Sequence, residues 1–440
     1  MLDPLEDWIC IDVETTSFLD LRDVTADVYA QHESTHVYTA VIGKGYAAGG
    51  DTVLELWKWR PNLACGALHY EVAEFINAGG RVVAWNAGFE RAIWQHILAP
   101  KYGWPIPELC QWRDAQANSV AMGLPAALEK AADVVLDEDL GKDMEGARLM
   151  KKMAQTVPSA DGEWLRPHEN DANLRRLEAY CASDVVVTGK LYESLCALTL
   201  TELRVWLCDQ EINDRGIYVD RARAQRMIAM VNQRDQEITN ETFCITDGEL
   251  AGVRSIPALK KWLHEKIGRS LTDSLSKGDV AELLKQDLPP TVQHVLELRQ
   301  EASRITSLGK LKRIRHACSP DGRVRGALAY HRAHTGRWSS RLLQVHNLPK
   351  DRRSRPVQEL CALAIDTGDY DTLDMLWSPL EELSLSLRSL IAAPPGHELI
   401  AADYSAIEAR VLPWLAGDEG KLQLFRDGVD TYVKAAADVG

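Results

Sequence analysis

Residues 8–13, Trp-Ile-Cys-Ile-Asp-Val, constrain the fold more than any other segment. Four apolar side chains run directly into a carboxylate, the pattern of a buried strand entering a polar loop. A buried strand needs partner strands and a covering layer, so this segment implies an α/β domain. Residues 81–85 read as a second short strand, and residues 124–135 and 174–195 as helices. The domain they build is expected to end near residue 195. From residue 201 to about 315 the pattern is mostly helical, interrupted at Pro289-Pro290. Residues 323–330 and 397–403 read as strands. No fixed-period repeat and no low-complexity linker breaks the chain.

At 440 residues the chain can hold two or three domains with cores of their own. No apolar run approaches bilayer-spanning length. The N-terminus has acids and no basic residue before its first apolar stretch, unlike a secretory signal. The nine cysteines include no C-x-x-C pair, which points to reduced thiols and a cytoplasmic protein rather than to a disulfide scaffold or a zinc site. The net charge of −14 argues at first against nucleic acid. Its distribution reverses that reading. Residues 299–356 hold fifteen Lys/Arg and three Asp/Glu, about +12, leaving about −26 on the rest. A basic stretch in an acidic chain suits a phosphate-tracking surface, and on charge alone it suits a solvated face equally well.

Three segments carry carboxylates in an ordered series. Asp12 and Glu14 lie two apart at the end of the first strand, where side chains of that spacing share a face. Asn86-Ala-Gly-Phe89-Glu90 follows the second strand and opens a helix. Tyr180 and Asp184 lie four apart on a helix, one above the other. Hard oxygen ligands suit Mg²⁺ or Mn²⁺, and converging carboxylates can hold two such ions. Two ions can activate a water and stabilise the leaving oxygen of a phosphodiester without a covalent nucleophile.

Two further segments lie downstream. Thr335-Gly-Arg-Trp-Ser-Ser340, running on to Gln344-Val-His-Asn-Leu-Pro349, combines a turn at Gly336 with an arginine whose donor fork suits a groove or backbone. Residues 399–410, Leu-Ile-Ala-Ala-Asp-Tyr-Ser-Ala-Ile-Glu-Ala-Arg, place Asp403 at the end of an apolar stretch and ahead of a helix. Such an aspartate serves either as a metal ligand or as a helix N-cap.

The first three segments resemble the Exo I, Exo II and Exo III motifs of DEDDy 3′→5′ exonucleases, in order and at typical spacing. The last two resemble the T-G-R…Q-N-L-P segment and motif A of family A DNA polymerases. Residues 212–220 and 296–312 resemble the thumb of such polymerases, and Asp430-Thr-Tyr432 the segment after motif A. The likeness spans essentially the whole chain. Residues 146–150, with Pro158 and Trp164, add a softer resemblance to a phage and prophage subgroup.

The resemblance implies a mixed α/β protein with three parts. Residues 1–195 would form an RNase H-like exonuclease domain, residues 196–325 a helical linker and thumb, and residues 326–440 the start of an α+β palm. Asp12 would bridge two Mg²⁺ or Mn²⁺ ions, with Glu14 and Asp184 completing the first ion's shell. Glu90 would reach the second, in a place where the family usually has Asp. Tyr180 would orient the attacking water, and Asn86 and Phe89 would lie near the terminal nucleotide. Asp403 would bind the polymerase metals and Tyr404 would lend a carbonyl. Glu408 would exclude a ribose 2′-hydroxyl. Arg337 would touch the primer–template minor groove and Asn347 its backbone, with His346 where the family usually has Gln. The implied partners are single-stranded 3′ ends and primer–template duplex, and no membrane.

The triphosphate-gripping fingers helix and motif C have no counterpart. Leu263-His264-Glu265 is a look-alike in the wrong place, and no 5′ nuclease segment precedes the exonuclease motifs. The chain is therefore expected to degrade primers but not to extend them, with dNTPs as ligands only if the missing half is supplied. The competing readings are a free-standing exonuclease whose C-terminal region clamps DNA, and a non-catalytic DNA-binding protein.

Overall fold

The computed structural model describes residues 7–48, 51–62, 68–136, 143–268, 275–376 and 378–439. The apolar N-terminal run forms β1 (Trp8–Thr16), which pairs antiparallel with β2 (His36–Ala48). β2 pairs antiparallel with β3 (Asp51–Trp59). On its other side β1 runs parallel to β4 (Arg81–Ala84), and β4 runs parallel to β5 (Trp112–Asp114). The five-stranded sheet thus has the order β3-β2-β1-β4-β5.

Both faces of β1 are covered, and period-two alternation sorts its side chains between them. Ile9, Ile11 and Val13 enter a cluster with Ile42, Val82 and Ala84. Trp8 and Cys10 pack on the opposite face against Cys181, Ala182 and Val185 of the helix Asp171–Ser194. Asp12 and Glu14 continue that second series, so they leave the sheet on the side of this helix. A register shift between Glu14 and Thr15 follows immediately. The helix begins at Asn170, whose side chain accepts from the Asn173 N–H at 2.9 Å. Its buried stripe Leu177, Cys181, Val185 has the i, i+4 spacing of a core-facing helix. Full burial of Ile9, Ile11 and Ile42 contributes roughly 1.5–3 kcal/mol each. The hairpin β6 (Val157–Pro158) and β7 (Trp164–Leu165) precedes this helix.

From residue 201 to about 315 the described chain is mostly helical, as the sequence pattern predicts. Helices Arg221–Ile245, Ile256–Ile267 and Pro290–Leu308 meet in one apolar cluster around Met227, Leu259, Trp262, Val295 and Leu296. Pro290 opens the third of them, where its missing N–H costs nothing. Gly309 then separates that helix from Lys310–Ala317. The latter buries Leu311, Ile314 and Ala317 and exposes Lys312, Arg313 and Arg315.

Two expected strands differ in the structure. Residues 323–330 form two short strands rather than one, β9 (Arg323–Val324), paired with β8 (Ile217–Tyr218), and β10 (Leu328–Ala329), paired with β11 (Ser339–Ser340). Gly326, at φ 62°, turns the chain between them. Residues 397–403 form no strand at all. A strand requires a neighbour for its N–H and C=O groups, and among the described residues none runs alongside this segment.

The segment 319–342 packs back onto the N-terminal half. Asn213, on the helix Leu200–Arg215, donates to the Leu328 carbonyl at 3.2 Å and accepts from the Leu328 N–H at 2.9 Å. Ser319 donates to Asp27 at 2.6 Å, and Tyr330 joins the cluster that holds Ile9 and Trp206. Between these parts lies a cleft of about 840 Å³, lined among others by Asp27, Asn86, Phe89, Asp209, Arg325 and Arg341.

The chain divides into two compact units at residues 392/393. The second contains helices Ile407–Ala416, Glu419–Arg426 and Thr431–Val439. Within it Arg410 stacks 4.5 Å from the centre of the Phe425 ring. Among the described residues no helix is long and apolar enough to cross a membrane.

Candidate active site

β1 delivers Asp12 and Glu14, and the helix packed over it delivers Asp184, so that one ligand oxygen from each lies within 4.8 Å of the others. Tyr180 stands one turn before Asp184 on the same helix, and burial together with the Asp184 charge raises its pKa. Cys181, between them, donates its thiol to the Asp12 backbone carbonyl at 3.3 Å and pins the helix to the strand. Glu14 is buried, and Asp12 and Asp184 are half-buried.

Crowding of like charges in a dry site raises the proton affinity of each acid. Burial pushes Asp12 up to about 6. Burial, then the Asp12 charge, pushes Asp184 up to about 8, against the opposing hydrogen bond from Tyr180. Glu14 lies well above the carboxylate range because of burial and the charges of Asp12, Asp184 and Glu90. Glu90, in the first turn of the helix Gly88–Ile93, is raised by burial and by Asp12. Its Oε2 is buried without a hydrogen-bond partner. An all-oxygen donor set, held together against its own repulsion and with one orphaned carboxylate oxygen, fits a hard divalent cation. Among the described residues, Asp12, Glu14 and Asp184 are the group of three or more acids, histidines or cysteines with this geometry.

Asn86 and Phe89 stand at the corner between β4 and the helix Gly88–Ile93 that carries Glu90. Asn86 has φ 66°, a left-handed conformation that Asn adopts more readily than most residues. Its N–H donates to Asp114 Oδ1 at 3.0 Å. The Phe89 ring lies 6.0 Å from that of Tyr29. Asp114 and Arg341 carry no role in the sequence reading, yet both contact Asn86. Asp114 had a local signal, as the acid at a strand-to-helix junction where an N-cap belongs; its side chain accepts from the Gln116 N–H at 2.9 Å. Arg341 had none, because its contact spans the fold.

The polymerase-like residues are placed separately. Arg337 is exposed after the Gly336 turn, where φ is 76°. His346 hydrogen-bonds Ser340, and the Asn347 N–H donates to the Gln344 carbonyl at 2.9 Å. Asp403 and Tyr404 precede the helix Ile407–Ala416 in the second unit, with Glu408 in its first turn. Among the described residues Asp403 joins no cluster of acids.

A solved structure described as "POL domain of Pol1 from M. smegmatis complex with DNA primer-template and dNTP" covers 96% of this chain at a TM-score of 0.55, with 16% identity and 61% of its own length covered. The fold is therefore that of a polymerase domain. The sequence profile of DNA polymerase family A matches residues 221–440. The chain belongs to DNA polymerase family A. A DNA polymerase of Bacillus phage SP02 is 32% identical over 98% of the chain, and DNA polymerase I of Pseudomonas aeruginosa is 26% identical over 59% of it. The chain spans 64% of the phage relative's length, and the aligned part is 27% of the Pseudomonas one.

Proposed function

We propose that the N-terminal part, residues 1–195, is a metal-dependent 3′→5′ exonuclease attached to the thumb and early palm of a family A DNA polymerase. The observation that carries this reading is the approach of Asp12, Glu14 and Asp184 within 4.8 Å, with Tyr180 one turn before Asp184 on the covering helix. The sheet order β3-β2-β1-β4-β5, with β1 central and its carboxylates under a covering helix, supports an RNase H-like domain. The basic segment 299–356 is assigned to the primer–template, a reading favoured by the DNA complex of the Pol1 relative.

Asp12, Glu14 and Asp184 would hold the catalytic cation, and Glu90 a second one through its unpartnered oxygen. Two bound Mg²⁺ or Mn²⁺ ions supply a water of lowered pKa and stabilise the leaving oxygen. The Tyr180 hydroxyl would orient the attacking water toward the terminal phosphorus. Asn86 and Phe89 grip the last nucleotide. A bond would form between the water oxygen and phosphorus as the water gives up a proton, the P–O3′ bond would break, and the departing 3′-oxygen would take up a proton. The products are a nucleoside 5′-monophosphate and a strand with a new 3′-hydroxyl.

On the polymerase side Asp403 belongs to no group of three or more metal-ligand side chains among the described residues, and phosphoryl transfer to a primer needs two ions held from two motifs. The 440-residue chain by itself is therefore assigned degradation without synthesis. The test is digestion of single-stranded DNA with Mg²⁺. Asp12→Ala and Asp184→Ala are each expected to slow it by about three orders of magnitude or more, since each removes a metal ligand. Digestion by Asp12→Ala at the parent rate overturns the assignment.

A further inference from the structure

The left-handed corner at Asn86 is held from two directions. Asp114 takes its backbone N–H. Its side-chain Oδ1 accepts from Nη2 of Arg341 at 3.1 Å, across 255 residues of sequence. Arg341 is anchored in turn, its own N–H donating to the Ala327 carbonyl at 2.7 Å. Three residues earlier Trp338 Nε1 donates to Asp209 at 2.7 Å. Asp114 and Asp209 are the acids that face the guanidinium, and Arg332 is the cation that faces it.

A guanidinium can only donate, whereas a carboxamide both donates and accepts. With Arg341 at its oxygen, the Asn86 amide must turn its NH₂ away from Arg341. Asn86, Phe89 and Arg341 all line the 840 Å³ cleft, so that NH₂ has room to meet a ligand there. We infer that Arg341 is a positioning residue for the exonuclease, fixing the Asn86 carboxamide so that its NH₂ is offered to the acceptor oxygens of the 3′-terminal nucleotide. The inference rests on the exonuclease reading. It also ties the segment 335–341, assigned to primer–template contact, to the exonuclease corner by a side-chain hydrogen bond.

The experiment is steady-state digestion of single-stranded DNA with Mg²⁺ by the full chain, its Arg341→Met and Asn86→Ala variants, and the double variant. Arg341→Met is expected to lower kcat/KM about 10-fold, mostly through KM for the 3′ end, as for loss of one ligand-positioning hydrogen bond. In the Asn86→Ala background the same change is expected to have no further effect. Arg341→Lys, which also only donates, is expected to recover most of the loss. Additive losses, or Arg341→Lys as impaired as Arg341→Met, overturn the inference and leave the exonuclease reading intact. Should Arg341→Met not fold, as judged by circular dichroism, Arg341→Leu, which also cannot donate, takes its place in the same cycle. A parent chain that removes no nucleotides overturns the exonuclease reading, and this inference with it.

Discussion

Asp12 and Asp184 bind protons in the folded, cation-free protein at a pH where the unfolded chain has released them, since their folded values rise to about 6 and about 8. The folded state therefore holds more protons than the unfolded one between about pH 4 and pH 8, and stability falls as pH rises through that window. In EDTA, Asp184→Asn is expected to stabilise the fold at pH 8, by an amount of order a few kcal/mol at most, and to have little effect at pH 4. Mg²⁺ or Mn²⁺ should stabilise the parent and release protons on binding, so its affinity should rise over the same window. Thermal melts across pH, with and without cation, check this. Equal destabilisation by Asp184→Asn at both pH values contradicts it. The shared faces of Asp12 with Glu14 and of Tyr180 with Asp184 were legible from strand and helix periods, and the approach of the two pairs was expected from the motif resemblance. Arg341 was not legible, since nothing local to residues 339–343 indicates a contact with Asn86.

Elements were legible where their own pattern determines them. The strand at 8–16 and the helix at 171–194 follow from apolar period and capping, and Pro290 marks a helix start as its missing N–H requires. The segment 397–403 was misread because its apolar residues satisfy a strand pattern without a partner to complete it; Leu399 and Ile400 are exposed instead. Residues 323–330 were read as one strand because a glycine in a strand pattern does not announce its φ, and Gly326 uses a left-handed one. The helix Lys310–Ala317 offers a test at this scale, with Lys312, Arg313 and Arg315 on the side opposite its buried stripe. Replacing these three with Ala is expected to weaken duplex binding. It should also reduce the slope of log K against log salt by up to about 0.9 for each phosphate that is no longer neutralised. Binding isotherms at several salt concentrations measure this, and an unchanged slope assigns that face to solvent.

At the scale of the whole molecule the proposed exonuclease residues and the family match lie in different parts of the chain. The exonuclease-like cluster draws its acids from β1 and one covering helix, both within one compact unit. The motif A aspartate stands in the other unit and belongs to no group of three or more such ligands among the described residues. The family assignment rests on residues 221–440, whereas the proposed chemistry rests on residues 12–184, outside that match. Activity therefore has to be measured rather than carried over. The most direct measurement uses a 5′-labelled primer on a longer template, with Mg²⁺ and all four dNTPs. The expected result is a ladder descending one nucleotide at a time from the 3′ end, with no product longer than the primer, and no ladder for Asp184→Asn or in EDTA. A primer that stays intact, or one that Asp184→Asn shortens as fast as the parent, contradicts the account.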